Sequence, residues 1–377
     1  MIEVKPTGSK RDLRRFAQFN IDLYRDSPYA VPELINDEVK LFLPEKNPAF
    51  EFCEAQCFLC YKDGKVVGRV AAIINHRANE TWGTKHGRFG YIDFIEDFEV
   101  ARALIDAATE WVKERGMNEI EGPLGFTDFD KEGMLIHGFD QLGTCASIYN
   151  YPYYGEYMER MGFCKAADWI EHKLFVPEVM PEKIEKIAKI VEGRQPIHYV
   201  NVKNNKQLIN DGWGKQIFEL TNRAFAKLYG FSELSPRQQD AYIAQYLPMV
   251  RLEYLIMIAD ENDKLIAYGL GMPSLSRAYQ KARGRMFPFG FIHLLKALKA
   301  KRFEIVDLML VAVDPSWQGK GINALIMNKF LENVQKAGCV YAESNPELDS
   351  NTQINEQWQY FNTETHKRRR VFIKKIE

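Results

Sequence analysis

Two stretches of the chain repeat one pattern of apolar and polar positions. In the first, a short apolar strand at Ile2–Val4 precedes a helical stretch, KRDLRRFAQFNIDLYRD, with Ser9 placed to cap it. β-rich runs at Phe58–Tyr61 and Val66–Ile74 flank Asp63-Gly64, a strong hairpin signal. A strand over Phe89–Ile95 and a helix over Glu99–Arg115 follow. In that helix Val100, Ala101, Leu104, Ala107, Ala108, Trp111 and Val112 share one face, and Gly116 ends it.

The second stretch repeats the plan. His198–Val202 reads as a strand and Asn204–Leu228 as largely helical. Tyr254–Ala259 and Leu265–Gly271 form a hairpin around Asn262-Asp263. Ile305–Val313 is a strand. Ile322–Ala337 is an amphipathic helix ended by Gly338, and Val340–Glu343 is the next strand. The pattern predicts an α/β (α+β) chain of two domains, residues 1–176 and 197–377. Between them, 177–196 is a charged helical linker with prolines at its ends.

A length of 377 residues suits two domains, and 46% apolar with 27% charged residues fits a folded globular chain. A net charge of −1 provides no global field for DNA. The opening MIEVKPTGSKRDL lacks the apolar core of a signal peptide, and no apolar run is long enough to span a membrane, so the cytoplasm is the expected compartment. Cys53, Cys57 and Cys60 cluster, but Cys60 lies in the strand-like run CFLCY and no second ligand cluster follows, so no metal site is expected.

The chemistry points to the segment after Ile305–Val313. There Gln318, Gly319, Lys320, Gly321, Ile322 and Asn323 run from a turn into a helix. The first backbone N–H groups of a helix are unpaired and carry partial positive charge, and glycines let a diphosphate approach them closely. Lys320 adds a cation. In the first copy the matching position reads Glu96-Asp97-Phe98-Glu99, three carboxylates that suit the helix dipole but repel a pyrophosphate. Residues 1–176 are therefore expected not to hold such a cofactor.

On these residues the chain resembles the GNAT acyltransferase superfamily, whose acyl-CoA loop reads Gln/Arg-x-x-Gly-x-Gly/Ala. Gln318 and Gly321 match, and Asn323 replaces the last Gly/Ala. The resemblance implies two tandem GNAT-like domains with mixed, mostly antiparallel sheets, the first degenerate. It implies acetyl-CoA or another acyl-CoA as cofactor, held by the loop and by Leu310, Val311 and Val313 of the preceding strand. It also implies direct acyl transfer to a small-molecule or peptide amine. Two alternatives stay open: a ligand-binding protein that keeps the fold without turnover, and a Fem-like aminoacyl transferase using charged tRNA.

The family's acid is often a Tyr in the pattern Asn-x-x-Ala-x-x-x-Tyr. Asn351, Ile354 and Trp358 occupy those offsets here, and an indole N–H does not titrate usefully. Tyr360, two residues on, is the remaining candidate acid. Glu343, ending the apolar run CVYAE, is the candidate base; an ion-paired strand-end carboxylate is the competing reading. Asn351 and Trp358, with Tyr153 and Tyr154 of NYPYYGEYMERMGF, are the acceptor-side candidates, and the loop at 122–150 carries Asp128, Asp130 and Glu132. Residues 264–303 hold nine Lys or Arg and no Asp or Glu, interleaved with Phe287, Phe289 and Phe291. That block reads as a lid helix with a solvated basic face, or as a contact for an anionic surface. His366–Arg370 reads as a charged turn before an edge strand, VFIKKI. The sequence leaves the oligomeric state open.

Overall fold

Asp63 and Gly64 both take positive φ, at 51° and 78°, and close a two-residue hairpin between β2 (Cys53–Lys62) and β3 (Lys65–Asn75). A primed turn of this kind matches the right-handed twist of the strands it joins. The computed structural model describes residues 1–352 and 356–377, so Ile354 lies outside the described residues. The remaining strands of the first half are β1 (Ile2–Pro6), β4 (His86–Phe94), β5 (Glu119–Gly122), β6 (Met134–His137) and β7 (Cys164–Phe175). Its helices are α1 (Lys10–Leu23), α2 (Ile35–Leu41), α3 (His76–Trp82), α4 (Phe98–Lys113) and α5 (Tyr153–Arg160). The second half supplies β8 (Ile197–Tyr199), β9 (Leu255–Asp260), β10 (Leu265–Pro273), β11 (Ile305–Val313), β12 (Tyr341–Glu343), β13 (Glu347–Leu348) and β14 (Thr363–Lys375). Its helices run from α6 (Glu182–Arg194) through α7 (Asn205–Asn210), α8 (Trp213–Phe225), α9 (Pro236–Tyr246), α10 (Ser276–Ala282) and α11 (Gly290–Leu298) to α12 (Ile322–Lys336).

The described strands form one mostly antiparallel sheet in the order β1-β2-β3-β4-β5-β14-β7-β12-β11-β10-β9-β8. Each half has one parallel pair at the same place, β4 with β5 and β11 with β12. At the centre the halves exchange their last strands. β14 of the second half pairs with β5 of the first, β7 of the first pairs with β12 of the second, and β7 and β14 pair with each other. The run His366–Arg370 is therefore no charged turn, and VFIKKI is no edge: both belong to a central strand. Lys367 and Arg369 are each 1% exposed. Such burial is tolerated because Lys367 reaches Glu171 at 2.7 Å and Glu343 at 2.6 Å, Arg369 pairs with Glu171, and His366 meets Glu343 at 2.7 Å.

Other expectations shift for local reasons. The helical stretch after β8 breaks at Gly212, whose φ of +81° no helix continues through, giving α7 and α8. Within the segment read as a linker, α6 is packed: Ile184, Ala188 and Val191 are buried with Ile322 and Leu325 of α12. The first half closes its core around Val100, Leu104, Ala108 and Val112 on one face of α4, against Val70, Ala72 and Phe89 of the sheet.

Candidate functional site

The two matching helices start differently. At α4 the Asp97 side chain accepts from the backbone N–H of Glu99 and Val100, and Lys62 pairs with Asp97 at 2.7 Å. That carboxylate already fills the anion position at the helix end. At α12 the N-cap is Gly321, which makes no side-chain capping bond, and the first turn holds no acid. Gly319 and Gly321 take φ of +73° and +80°, a backbone that side-chain-bearing residues rarely adopt. A Cβ on Gly319 would meet nothing within 4 Å, whereas one on Gly321 would meet Ile187 at 2.8 Å. Gln318 donates through Nε2 to Val313 O at 3.2 Å, and Lys320 Nζ sits 4.9 Å from the Trp317 ring centre.

The strand before each helix repeats the contrast. β12 pairs with β11 only over Ile305–Asp307; beyond it Asn345 Nδ2 donates to Met309 O at 2.9 Å, and Leu310–Val313 face a cleft of about 2900 Å³ lined by both halves. Leu310, Val311 and Val313 line that cleft together with Gln318, Gly319, Gly321, Ile322 and Asn323. Asn323 Oδ1 is buried without a hydrogen-bond partner among the described residues. In the first half the parallel pairing of β4 and β5 stops at Arg88, but the strand ends are then closed. Leu124 N–H donates to Phe89 O at 2.9 Å, Tyr153 Oη donates to Phe94 O at 2.8 Å, and Phe94 N–H donates to Tyr154 Oη at 2.9 Å. Tyr154 is wholly buried, and both tyrosines pack in the first-half core instead of lining the cleft.

Asn351, Trp358 and Tyr360 do line the cleft. Tyr360 Oη accepts from Lys183 Nζ at 2.8 Å. Glu343 does not line it; the carboxylate is 4% exposed and bound to Lys367 and His366 in the seam described above. Its neighbour Asp307 is pushed up to about 7 by burial, and the Glu343 charge adds to the rise.

Glu347 is the carboxyl that the sequence reading passed over. It stands on β13, which pairs with β7, and lines the cleft. Trp358 Nε1–H donates to Glu347 Oε2 at 2.8 Å. Burial pushes its pKa up to about 7, against the pull of that bond. A group poised there at neutral pH can give or take a proton. Trp358, no acid itself, thus fixes one. Its role was invisible in the chain because SNPEL carries no period and its burial comes from distant pairing.

A second acidic group lines the same cleft from the first-half loop. Asp128 is pushed up to about 7 and Asp130 to about 6, both chiefly by burial, and burial also raises Glu132. The nearby Arg88 guanidinium, held by the carbonyls of Gly125 and Phe126, opposes each rise.

Residues 215–353 match the acetyltransferase (GNAT) family model. The chain is 26% identical to protein YghO of Escherichia coli K12 over 98% of this chain and 94% of that one. It is 24% identical to the bacterial ceramide synthase of Caulobacter vibrioides, over 84% of this chain and 82% of that one. Among solved structures it is similar to a tandem GNAT protein from the clavulanic acid biosynthesis pathway, with a TM-score of 0.58 and 13% identity, covering 100% of this chain and 98% of that one. Residues 215–353 thus carry the match to the GNAT family model, and the whole chain shares the fold of a solved tandem GNAT protein.

Proposed function

We propose that this protein is an acyl-CoA-dependent N-acyltransferase whose second half holds the CoA. The observation that supports it is the uncapped N-terminus of α12, with two positive-φ glycines before it and Leu310–Val313 of β11 turned to the cleft beside it. The residues fit the cofactor. N–H groups at the start of α12 and Lys320 would face the pyrophosphate, and the backbone of Leu310–Val313 would hydrogen-bond the pantetheine amides. Acyl-CoA, when bound, would supply an activated thioester carbonyl. CoA thioesters are cytoplasmic metabolites, so the cytoplasm is the proposed compartment.

Glu347 is the proposed general base. Its carboxylate takes the proton that the acceptor amine loses as the C–N bond forms and the C–S bond breaks, and that proton then passes from Glu347 to the departing thiolate, directly or through water. Trp358 holds Glu347 in place for this. We further propose an amphiphilic amine as acceptor. The rim of the cleft carries the apolar side chains of Phe291, Leu294 and Leu298. Asp128, Asp130 and Glu132 provide acids for an ammonium group. A relative named a ceramide synthase supports the same class, since a ceramide is an N-acylated long-chain amino alcohol.

Thermal unfolding with acetyl-CoA and octanoyl-CoA tests the cofactor half of the reading. A ligand at a hundred times its Kd adds about 2.7 kcal/mol to stability, a rise of several degrees. Gly319→Val should abolish that rise, because a β-branched residue is strained at the φ of +73° the loop requires, although nothing lies within 4 Å of its Cβ. If neither thioester shifts melting at millimolar concentration, the proposal fails.

A further inference from the structure

The insert between β10 and β11 carries exposed apolar and basic residues that the acyl-transfer reading does not use. In α11 the sole buried residue is Gly290. Phe287 and Phe289, just before it, are 72% and 67% exposed, and Ile292 and Leu295 are 48% and 45% exposed. Large apolar side chains this exposed, side by side, mark a contact surface more often than a solvated face. Around them stand Lys281, Arg283, Arg285, Lys296, Lys299 and Lys301, all exposed and none ion-paired among the described residues. Elsewhere surface lysines find partners readily, as Lys186 and Lys189 do on α6. Here none is available within the segment, because residues 264–303 contain no acid. Phe287 and Leu295 also line the cleft, so the patch forms part of its rim.

We propose that this insert docks the protein on an anionic phospholipid bilayer, with Phe287, Phe289, Ile292 and Leu295 entering the headgroup boundary and the surrounding cations facing lipid phosphates. Charge complementarity selects the occupant. An apolar helix face ringed by unpaired Lys and Arg fits an interface that is itself apolar beneath and anionic above. A protein partner would need a matching acidic rim around an apolar groove. No helix of the described residues is long and apolar enough to cross a membrane, so the contact is a surface one. Docked this way, the cleft rim opens onto the lipid. The proposal stands without the acyl-transfer reading, since binding is read without turnover.

Vesicle co-sedimentation of the full chain tests it. The protein should sediment with vesicles of mixed phosphatidylglycerol and phosphatidylcholine, stay in solution with phosphatidylcholine alone, and lose binding as salt rises. The double variant Phe287→Gln with Phe289→Gln should bind more than about tenfold more weakly. So should Lys296→Glu with Lys299→Glu and Lys301→Glu. Both should melt near the wild-type temperature, since these side chains are exposed. Gly319→Val should still bind, which separates docking from the CoA site. Three results would overturn the idea: no sedimentation with anionic vesicles at low salt, equal sedimentation of the variants, or full competition by inorganic phosphate at the same ionic strength. A wild-type dimer in vesicle-free buffer that the Phe variant abolishes would also overturn it, assigning the patch to a second copy.

Discussion

The helices α4 and α12 follow the same strand in the two halves, pack on the same sheet, and end alike in Lys. They differ at their first turn. Asp97 satisfies α4 from within and binds Lys62, while Gly321 leaves α12 unsatisfied. The strands agree with the helices. Tyr153 and Tyr154 close the end of β4, whereas past the Asn345 contact at Met309 β11 turns Leu310–Val313 to the cleft. A helix end without internal partners costs stability unless water or a ligand meets it. One copy of the fold has thus satisfied its helix terminus from within, and the other leaves its terminus without a side-chain cap, as the proposed CoA site requires. The difference resides in a few side chains within an unchanged architecture.

The sharpest way to break that comparison is at Glu347, which only the second half possesses. Glu347→Gln should lower turnover by about 10²–10⁴-fold in a thiol-release assay while leaving the CoA-induced melting shift intact. In the wild type the rate should rise with pH through about 7, where Glu347 loses its proton, and the variant should lose that limb. The sign for stability is opposite. A carboxyl raised in the fold is stabilising while protonated, and that contribution is lost as pH rises toward and past 7. Glu347→Gln should therefore melt slightly higher than wild type at pH 8 and nearly equally at pH 4. A variant inactive and destabilised at pH 8 would make Glu347 structural.

Next in size is the seam that joins the halves. Lys367→Met would leave Glu343 with His366 and Glu171 with Arg369 in a site almost closed to water. Removing one partner from such a buried group costs about 3–5 kcal/mol. Glu171 shows how strongly the cations act: burial works to raise it, yet Arg369 and Lys367 hold it at about 2. Denaturant unfolding should show one transition weakened as a whole, since β14 belongs to the sheet of both halves. Two separate transitions with only the second weakened would show that the exchange of strands does not couple them.

Local signals in the chain carried far. The Asp63-Gly64 turn, the apolar face of α4, β11 from Ile305 to Val313 and the start of α12 were all legible, because turns and amphipathic periods are written in neighbouring residues. The contrast between Asp97 and the Gly319–Gly321 turn was legible for the same reason. What the chain hid depends on pairing across nearly 200 residues. His366–Arg370 looked solvent-exposed because a histidine and four cations in a row usually are, and Glu171, Asp168 and Glu343 on neighbouring strands make its burial possible. Glu343 looked poised because it ends an apolar strand; the same burial ties it to Lys367. Glu347 had no local mark, and Tyr153 and Tyr154 looked like a pocket while serving as struts for Phe94.

The smallest effect bears most directly on the two helices. Asp97→Ala removes the cap from α4 and should cost about 1 kcal/mol at neutral pH, read as a lower melting temperature. The Lys62 hydrogen bond, together with the helix N–H bonds, holds the Asp97 pKa below its usual range. Its contribution is therefore complete above the ordinary carboxylate pKa and fades as pH falls through the lowered one, so wild type and variant should converge in acid. The variant should leave the CoA-induced shift at α12 unchanged. It should also fail to create a second CoA site, even though it frees the N–H groups of α4. Glu96 remains beside them, and Tyr153 and Tyr154 still occupy the strand edge along which a pantetheine would lie. If Asp97→Ala alone doubled the CoA bound per chain, measured by calorimetry, the helix terminus would be sufficient and Leu310–Val313 of β11 would be dispensable. The expected stoichiometry of one says that both are needed.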